Sequence, residues 1–197
     1  MPTVAQHLPE NPEREKYEAI YRLQRTGDYV GHYGACNHGR AAGGYIKRDE
    51  SVLDVGCGHN EFARTIRAQG RQALGVDFAC ESADLVADIL DLPFSDQAFH
   101  VVTAFDVLEH LRPEQVDAAL TEMRRVSGRF IFTIAFRDSV CRAPGSGETL
   151  HPTVWTPEQW TAKLQKYADG VTVDRNLFFG RWKSEITEHT NQQTEIA

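Results

Sequence analysis

The segment Ser51–Asn60 reads Ser-Val-Leu-Asp-Val-Gly-Cys-Gly-His-Asn and holds the first residues whose types and spacing could do chemistry. A short apolar run (Val52, Leu53, Val55) predicts a buried parallel strand that breaks at once into glycines. A helical pattern follows from Glu61 to Gln69. Strand, glycine turn and helix N-terminus together let backbone approach a ligand closely and aim free N–H groups at it. That arrangement alone is shared by every dinucleotide-binding fold. Asp54 sharpens it, because an acid two residues before Gly56 would repel a pyrophosphate and suits a ligand with a cationic amino group. Asp106, Glu109 and His110 form a second group, spaced i, i+3 and i+4. If that turn is helical, all three point to one side. Two carboxylates and an imidazole are competent ligands for Mg²⁺, Mn²⁺ or Zn²⁺.

These residues need a scaffold, and 197 residues suffice for one α/β domain with a sizeable core. The net charge of −7 disfavours a broad nucleic-acid footprint. Cys36, Cys57, Cys80 and Cys141 are scattered without a Cys-x-x-Cys pair, which supports neither a zinc site nor a disulfide scaffold. With no long apolar run and no charged-then-apolar leader, a soluble cytoplasmic protein is expected.

Residues 1–50 read as an N-terminal helical segment covering the pocket, with a first helix from Pro12 to about Arg25 that Gly27 would end. Tyr17, Ile20, Tyr21 and Gln24 share one side of it. A second helix is expected from Cys36 to Ile46. After the glycine loop, Ala73–Asp77 makes a second strand ending in an acid. Asp77 lies 23 residues beyond Asp54, a spacing that lets a second-strand carboxylate meet ribose hydroxyls. A third acid, Asp88, follows after only 11 residues, so a very short helix or a bare loop is expected between them. Phe99–Ala104 is the fourth strand. Pro113 fits the first turn of a long helix with Val116, Ala119, Leu120 and Met123 inward. Arg129–Phe136 is the fifth strand, Arg137–Thr149 a loop or lid, and Thr156-Pro157 a capped helix start. Val171–Trp182 supplies one or two closing strands. The core domain spans 51–185, and 186–197 is a polar tail. Strand–helix alternation predicts a doubly wound, mostly parallel, seven-stranded sheet of Rossmann-like type, with its ligand at the strands' C-terminal ends.

Asp54-x-Gly56-x-Gly58-x-Asn60 resembles the first motif of class I S-adenosylmethionine (SAM)-dependent methyltransferases, acid-x-Gly-x-Gly-x-Gly. Asn replaces the last glycine, and Asn tolerates a left-handed backbone. The likeness extends over Ser51 to Phe136 and is closest to small-molecule methyltransferases. It includes Asp88-Ile-Leu-Asp-Leu-Pro-Phe94 and Phe99-His-Val-Val-Thr-Ala-Phe-Asp-Val-Leu-Glu-His110, where His100 stands for the usual acid. The resemblance implies that Asp54, Gly56, Cys57 and Gly58 receive the methionine end of SAM. It implies that Asp77 holds the ribose, that Asp88 and Ile89 meet the adenine, that Phe78 packs on it, and that Phe105 lines the methyl-donor side. Asn37-His-Gly-Arg40 is similar to a segment of quinone-biosynthesis O-methyltransferases in which the arginine holds the SAM carboxylate. The bland alternatives are a capping Asp77, a turn-forming Asp88 and a solvated Arg40.

The acid-x-x-Glu-His pattern also supplies metal ligands in some quinone O-methyltransferases and in small-RNA 3′-end methyltransferases. His151, in His-Pro-Thr-Val-Trp-Thr-Pro, resembles their downstream ligand. By that likeness Asp106, Glu109, His110 and His151 would hold a divalent metal. In metal-free relatives His110 caps a helix or serves as a base. Without a metal, His110 or His151 is the best general base, and Tyr29, His32, Tyr33 and His38 stand behind them. The expected activity is direct methyl transfer to an oxygen or nitrogen of a small-molecule acceptor. The alternatives are metal-dependent methylation of an RNA 3′-end ribose, a SAM-binding accessory protein and, distantly, a nicotinamide reductase. No base-methylation motif of the Asn-Pro-Pro-Tyr kind is present. The oligomeric state is left open.

Overall fold

The computed structural model describes residues 12–28 and 42–184. The sheet forms because short runs rich in valine, phenylalanine and isoleucine alternate between two buried faces. On the central strand β1 (Val52–Val55), Val52 belongs to one core and Leu53 and Val55 to the other. The remaining strands are β2 (Ala73–Asp77), β3 (Leu85–Val86), β4 (Phe99–Phe105), β5 (Ser127–Thr133), β6 (Ala168–Asp174) and β7 (Leu177–Trp182). Their order is β3-β2-β1-β4-β5-β7-β6. The first five pair in parallel and β7 runs antiparallel to both β5 and β6, which makes the mostly parallel sheet that the alternation predicted.

Helix α1 (Pro12–Thr26) ends where Gly27 turns left-handed at φ 79°. Helix α2 (Glu61–Ala68) buries Phe62, Ala63 and Ile66 against Val52, Val101, Phe105 and Ile131. Helix α3 (Val116–Val126) and helix α4 (Pro157–Leu164) cover the opposite face, through Leu120, Met123, Trp160 and Leu164 among others. Two helical layers on a mainly parallel sheet hide both of its faces from water. Thr156 caps α4 in a reciprocal pairing with Gln159, and Pro157 opens it, as the sequence indicates.

Three details differ from the expectation. Pro113 lies in a turn ahead of α3, because Gln115 closes that turn onto Arg112 from both its backbone and its side chain. Strand β5 starts at Ser127 and leaves the sheet after Thr133, where Ile134 bonds to Asn176 in the hairpin beyond. Of the helix expected from Cys36 to Ile46, residues 36–41 lie outside the described residues; Ala42 and Gly43 are helical, and residues 44–46 form a turn instead. No helix separates β2 from β3, in line with the short gap. Among the described residues, no helix is long and apolar enough to cross a membrane.

Candidate active site

Parallel order brings the loops that follow β1 to β5 to one edge of the sheet. There they enclose a cavity of about 580 Å³, which helix α1 closes with Tyr17, Ile20, Tyr21 and Gln24. Asp54, Gly56, Cys57, Gly58, Asp77, Phe78, Asp88, Ile89, Phe105, Asp106, Glu109, His110 and His151 all line it. The predicted site residues therefore meet in one place. Arg40 lies outside the described residues, as do Tyr29, His32, Tyr33 and His38.

The glycine turn is built as the sequence suggests. Gly56 has φ 66°, and a Cβ there would stand 2.5 Å from Val107 Cγ2. Gly58 has φ 52° and turns its N–H to Asp77 Oδ2 at 3.0 Å. Asn60, at φ 62° and ψ 28°, adopts the left-handed conformation that its type allows, and α2 starts immediately after it.

Asp54 is 2% exposed and accepts the Thr103 hydroxyl at 2.7 Å. Burial pushes its pKa up to about 7, against the Thr103 hydrogen bond, and the nearby Asp77 carboxylate adds to the rise. A buried acid poised between charge states is matched to a ligand that brings its own positive charge. Burial, with Asp54 and Asp77 nearby, pushes the Cys57 thiol up, so this cysteine stays protonated and is no nucleophile.

The Asp77 carboxylate takes Ala79 N–H and Cys80 N–H on Oδ1, and Gly58 N–H and the Tyr21 hydroxyl on Oδ2. Its capping role is thus real, and it still faces the cavity. Asp88 similarly holds a turn through Leu90 N–H while lining the same space. For a SAM molecule these residues fit: an acid beside open glycine backbone, carboxylates beyond the neighbouring strands, and Phe78 and Ile89 as apolar surface.

On the other flank of β1, the loops after β4 and β5 gather Glu109, His110 and His151. One ligand-type atom from each lies within 4.8 Å of the others. Glu109 is fully buried; Oε1 accepts Ala135 N–H at 3.0 Å, while Oε2 has no hydrogen-bond partner. Burial, then the Asp106 charge, pushes its carboxyl up to about 8. Burial and the neighbouring His151 push His110 down to about 3, and Lys16 adds to this against a backbone hydrogen bond to Leu150. His110 is therefore neutral at pH 7. His151 Nδ1 lies 2.7 Å from the Arg137 carbonyl. A carbonyl only accepts, so Nδ1 carries the hydrogen and the neutral ring keeps its lone pair on Nε2.

Asp106 departs from the expected set. The short 3₁₀ turn spans Leu108–His110 only, and Asp106 precedes it at φ 53°. Its N–H bonds to Thr133 O, and its Oδ1 accepts the Thr133 hydroxyl at 3.1 Å. The carboxylate is thereby tied to the end of β5, and the i, i+3, i+4 face never forms.

Sequence reasoning named Tyr17 and Tyr21 only as one side of a helix. Their hydroxyls in fact reach His110 Nδ1 at 2.7 Å and Asp77 Oδ2 at 3.1 Å. Two tyrosines one turn apart, followed by Gln24, make a more polar stripe than a core-facing helix needs, and that was the available signal.

Comparison with known proteins agrees with this geometry. Residues 53–132 match the family model described as a methyltransferase domain. An uncharacterized protein of Methanocaldococcus jannaschii is 31% identical over 105 residues, covering 49% of this chain and 45% of that protein. The match thus spans less than half the length of that relative. Among solved structures, the 1,6-didemethyltoxoflavin-N1-methyltransferase of Burkholderia thailandensis, with its 1,6-didemethyltoxoflavin and S-adenosylhomocysteine bound, aligns with TM-score 0.60 at 14% identity over 91% of this chain and 94% of that one. The magnesium protoporphyrin IX methyltransferase of Synechocystis, with bound S-adenosylhomocysteine, aligns with TM-score 0.58 at 15% identity over 85% and 97%. Such identities speak for the fold, and the family model speaks for the motif-bearing half of the sheet. Residues 53–132 are thus similar to a methyltransferase domain, and the fold around them is the one these solved methyltransferases share.

Proposed function

We propose that this protein moves the methyl group of SAM directly to an oxygen or nitrogen of a small-molecule acceptor. The observation that carries the reading is a single cavity that Asp54, Asp77 and Asp88 line on one flank, and His110, His151 and Arg137 on the other. In the transfer, the acceptor's lone pair forms a bond to the methyl carbon as the carbon–sulfur bond breaks. The electron pair returns to sulfur, leaving S-adenosylhomocysteine. The sulfonium already activates its methyl group, so the protein's part is alignment and acceptance of one proton. His151 Nε2 is the stronger candidate to take it, with His110 beside it at 4.7 Å between ring centroids. Asp54 would meet the SAM ammonium, Asp77 the ribose and Asp88 with Ile89 the adenine. Phe78 would pack against the adenine and Phe105 would line the methyl-donor side.

Isothermal titration with SAM, S-adenosylhomocysteine and NADH, followed by a homocysteine-release assay over phenols, hydroxy acids and amines, tests this. SAM binding with turnover on one acceptor class supports the reading. Tight SAM binding with no turnover on any class favours an accessory role, and a response to NADH alone overturns both.

A second reading adds a divalent cation on Glu109, His110 and His151, favoured by the orphaned Glu109 Oε2 beside two imidazoles. Each imidazole has its Nδ1 tethered, to Tyr17 and to the Arg137 carbonyl, as metal-binding histidines require. A bound cation would act as a Lewis acid and lower the pKa of an acceptor hydroxyl. Metal analysis of protein purified without chelator tests this, and absence of bound metal with no effect of added metal on turnover removes it. A short RNA assayed in the same series tests the ribose acceptor.

A further inference from the structure

We propose that Tyr17 is the positioning residue for His110, and that helix α1 thereby ties cofactor occupancy to the acceptor-side imidazole. The inference rests on the cofactor reading above. Tyr17 and Tyr21 stand one turn apart on α1, on one face. Tyr21 donates to Asp77 Oδ2, the oxygen that also takes Gly58 N–H. Its ring meets His59 of the glycine loop edge-on, with centroids 5.7 Å apart. Tyr17 packs against Phe78 at 5.3 Å and against His110 at 5.8 Å between centroids. The same helix thus touches the ribose acid, the ring beside it and the imidazole.

The Tyr17 hydroxyl has a consequence at the far side of the ring it holds. The hydroxyl lies 2.7 Å from Nδ1, and in an uncharged imidazole one ring nitrogen carries hydrogen and the other a lone pair. If Tyr17 donates to Nδ1, hydrogen sits on Nε2; if Tyr17 accepts, the lone pair does. In either case the bond settles the tautomer and ring rotation, and with them what Nε2 offers an acceptor. The tyrosine hydroxyl is 93 residues from His110 in sequence, so the link exists only when α1 is docked. Docking also involves the loop that carries His151, because Ile20 is buried with Ala143 and Leu150, with Tyr17 and Cys141 packed against them. A ribose that competes for Asp77 Oδ2 must share with or displace the Tyr21 hydroxyl. Any resulting movement of α1 is felt at Tyr17 and hence at His110.

The test uses the full chain labelled with ¹⁵N-histidine, with His110 assigned from the signal lost in His110→Gln. Ring-nitrogen shifts report the tautomer directly. In the wild type, S-adenosylhomocysteine should shift the His110 ring signals. Tyr17→Phe should bind S-adenosylhomocysteine within about threefold of wild type, yet show altered His110 signals that no longer respond to it. Tyr21→Phe removes the hydroxyl that competes for Asp77 Oδ2, so it should bind S-adenosylhomocysteine no more weakly than wild type while the His110 response to the ligand shrinks; an undiminished response overturns the link through Tyr21. Unchanged His110 signals in Tyr17→Phe overturn the proposal. If that variant does not fold, the wild-type titration decides alone: binding with motionless His110 signals overturns it. Failure of the wild type to bind S-adenosylhomocysteine at all removes the cofactor reading itself, and this inference with it.

Discussion

Replacing Asp54 with Asn separates the cost of a buried charge from its use. The carboxyl goes from an ordinary 3.8 to about 7 on folding. The folded state therefore keeps a proton that the unfolded chain releases, and stability falls as pH rises from about 4 to about 7. That difference corresponds to about 4 kcal/mol once both states are ionised, against a whole-domain stability of roughly 5–15 kcal/mol. Asn keeps an acceptor for the Thr103 hydroxyl and carries no charge. Ligand-free Asp54→Asn should then melt several °C above wild type at pH 8, taking about 2–4 °C per kcal/mol for a chain of this size. At pH 5 the gap should shrink to roughly 1.5–2 kcal/mol, and the two should nearly coincide only near pH 3, where Asp54 is protonated in both the folded and the unfolded chain. Affinity for SAM should move the other way. Wild-type binding should weaken about tenfold between pH 8 and pH 6, as the ionised fraction falls from about nine-tenths to about one-tenth. The variant should bind at least about tenfold more weakly at pH 8, with a flatter pH profile. Calorimetry at both pH values reads each quantity on the same samples. A variant no more stable than wild type at pH 8, with unchanged affinity, would refute the account of Asp54.

Further substitutions probe the rest of the cavity. Gly56→Ala places a Cβ 2.5 Å from Val107 Cγ2 at a left-handed position; a loss of about 2–4 kcal/mol in chemical denaturation is expected, only partly relieved by adding Val107→Ala. His151→Gln should leave SAM affinity within about threefold and slow turnover about 10²–10⁴-fold, the usual span for removing a general base, with rapid quench distinguishing chemistry from binding. If a divalent cation binds, Glu109→Gln should abolish it in metal analysis, whereas Asp106→Asn, whose carboxylate is held by Thr133, should retain it.

What could be read from the residues was local. The Asp54-to-Gly58 turn, the left-handed Asn60 and the Thr156-Pro157 cap each follow from neighbours in sequence, and the structure reproduces them. The sheet was legible because buried parallel strands have few alternatives to branched and aromatic residues. What failed depends on distant partners. Spacing put Asp106 beside Glu109 on a helical face, but the residue's backbone answers to Thr133 on the adjacent strand, 27 residues away. The same holds for Tyr17 and His110, and for Glu109, whose neutral state comes from burial that no spacing reveals. Local motifs therefore gathered the residues read as cofactor-binding along one side of the cavity. The acceptor half, assembled from α1, the β4 and β5 loops and His151, was visible only as scattered candidates.

The two halves also differ in charge, and that difference bears on the direction of the proposed transfer. Arg137 is the only Arg or Lys lining the cavity among the described residues, whereas carboxyl groups surround much of it. Near neutral pH the acids Asp77 and Asp88 lie on the cofactor flank, and Asp54 beside them is ready to ionise for a cation. Glu109 on the other flank holds its proton, and His110 is uncharged. In the proposed transfer, SAM would enter with a positive sulfur and a positive amino group, and S-adenosylhomocysteine would leave with only the amino group. Carboxylates acting through a poorly screened cavity favour the donor over the product. The arrangement should make S-adenosylhomocysteine binding less sensitive to ionic strength than SAM binding, and parallel titrations in low and high salt measure that contrast. Equal salt slopes for the two ligands would mean that the carboxylates act only on the shared amino group, as Asp54 alone would.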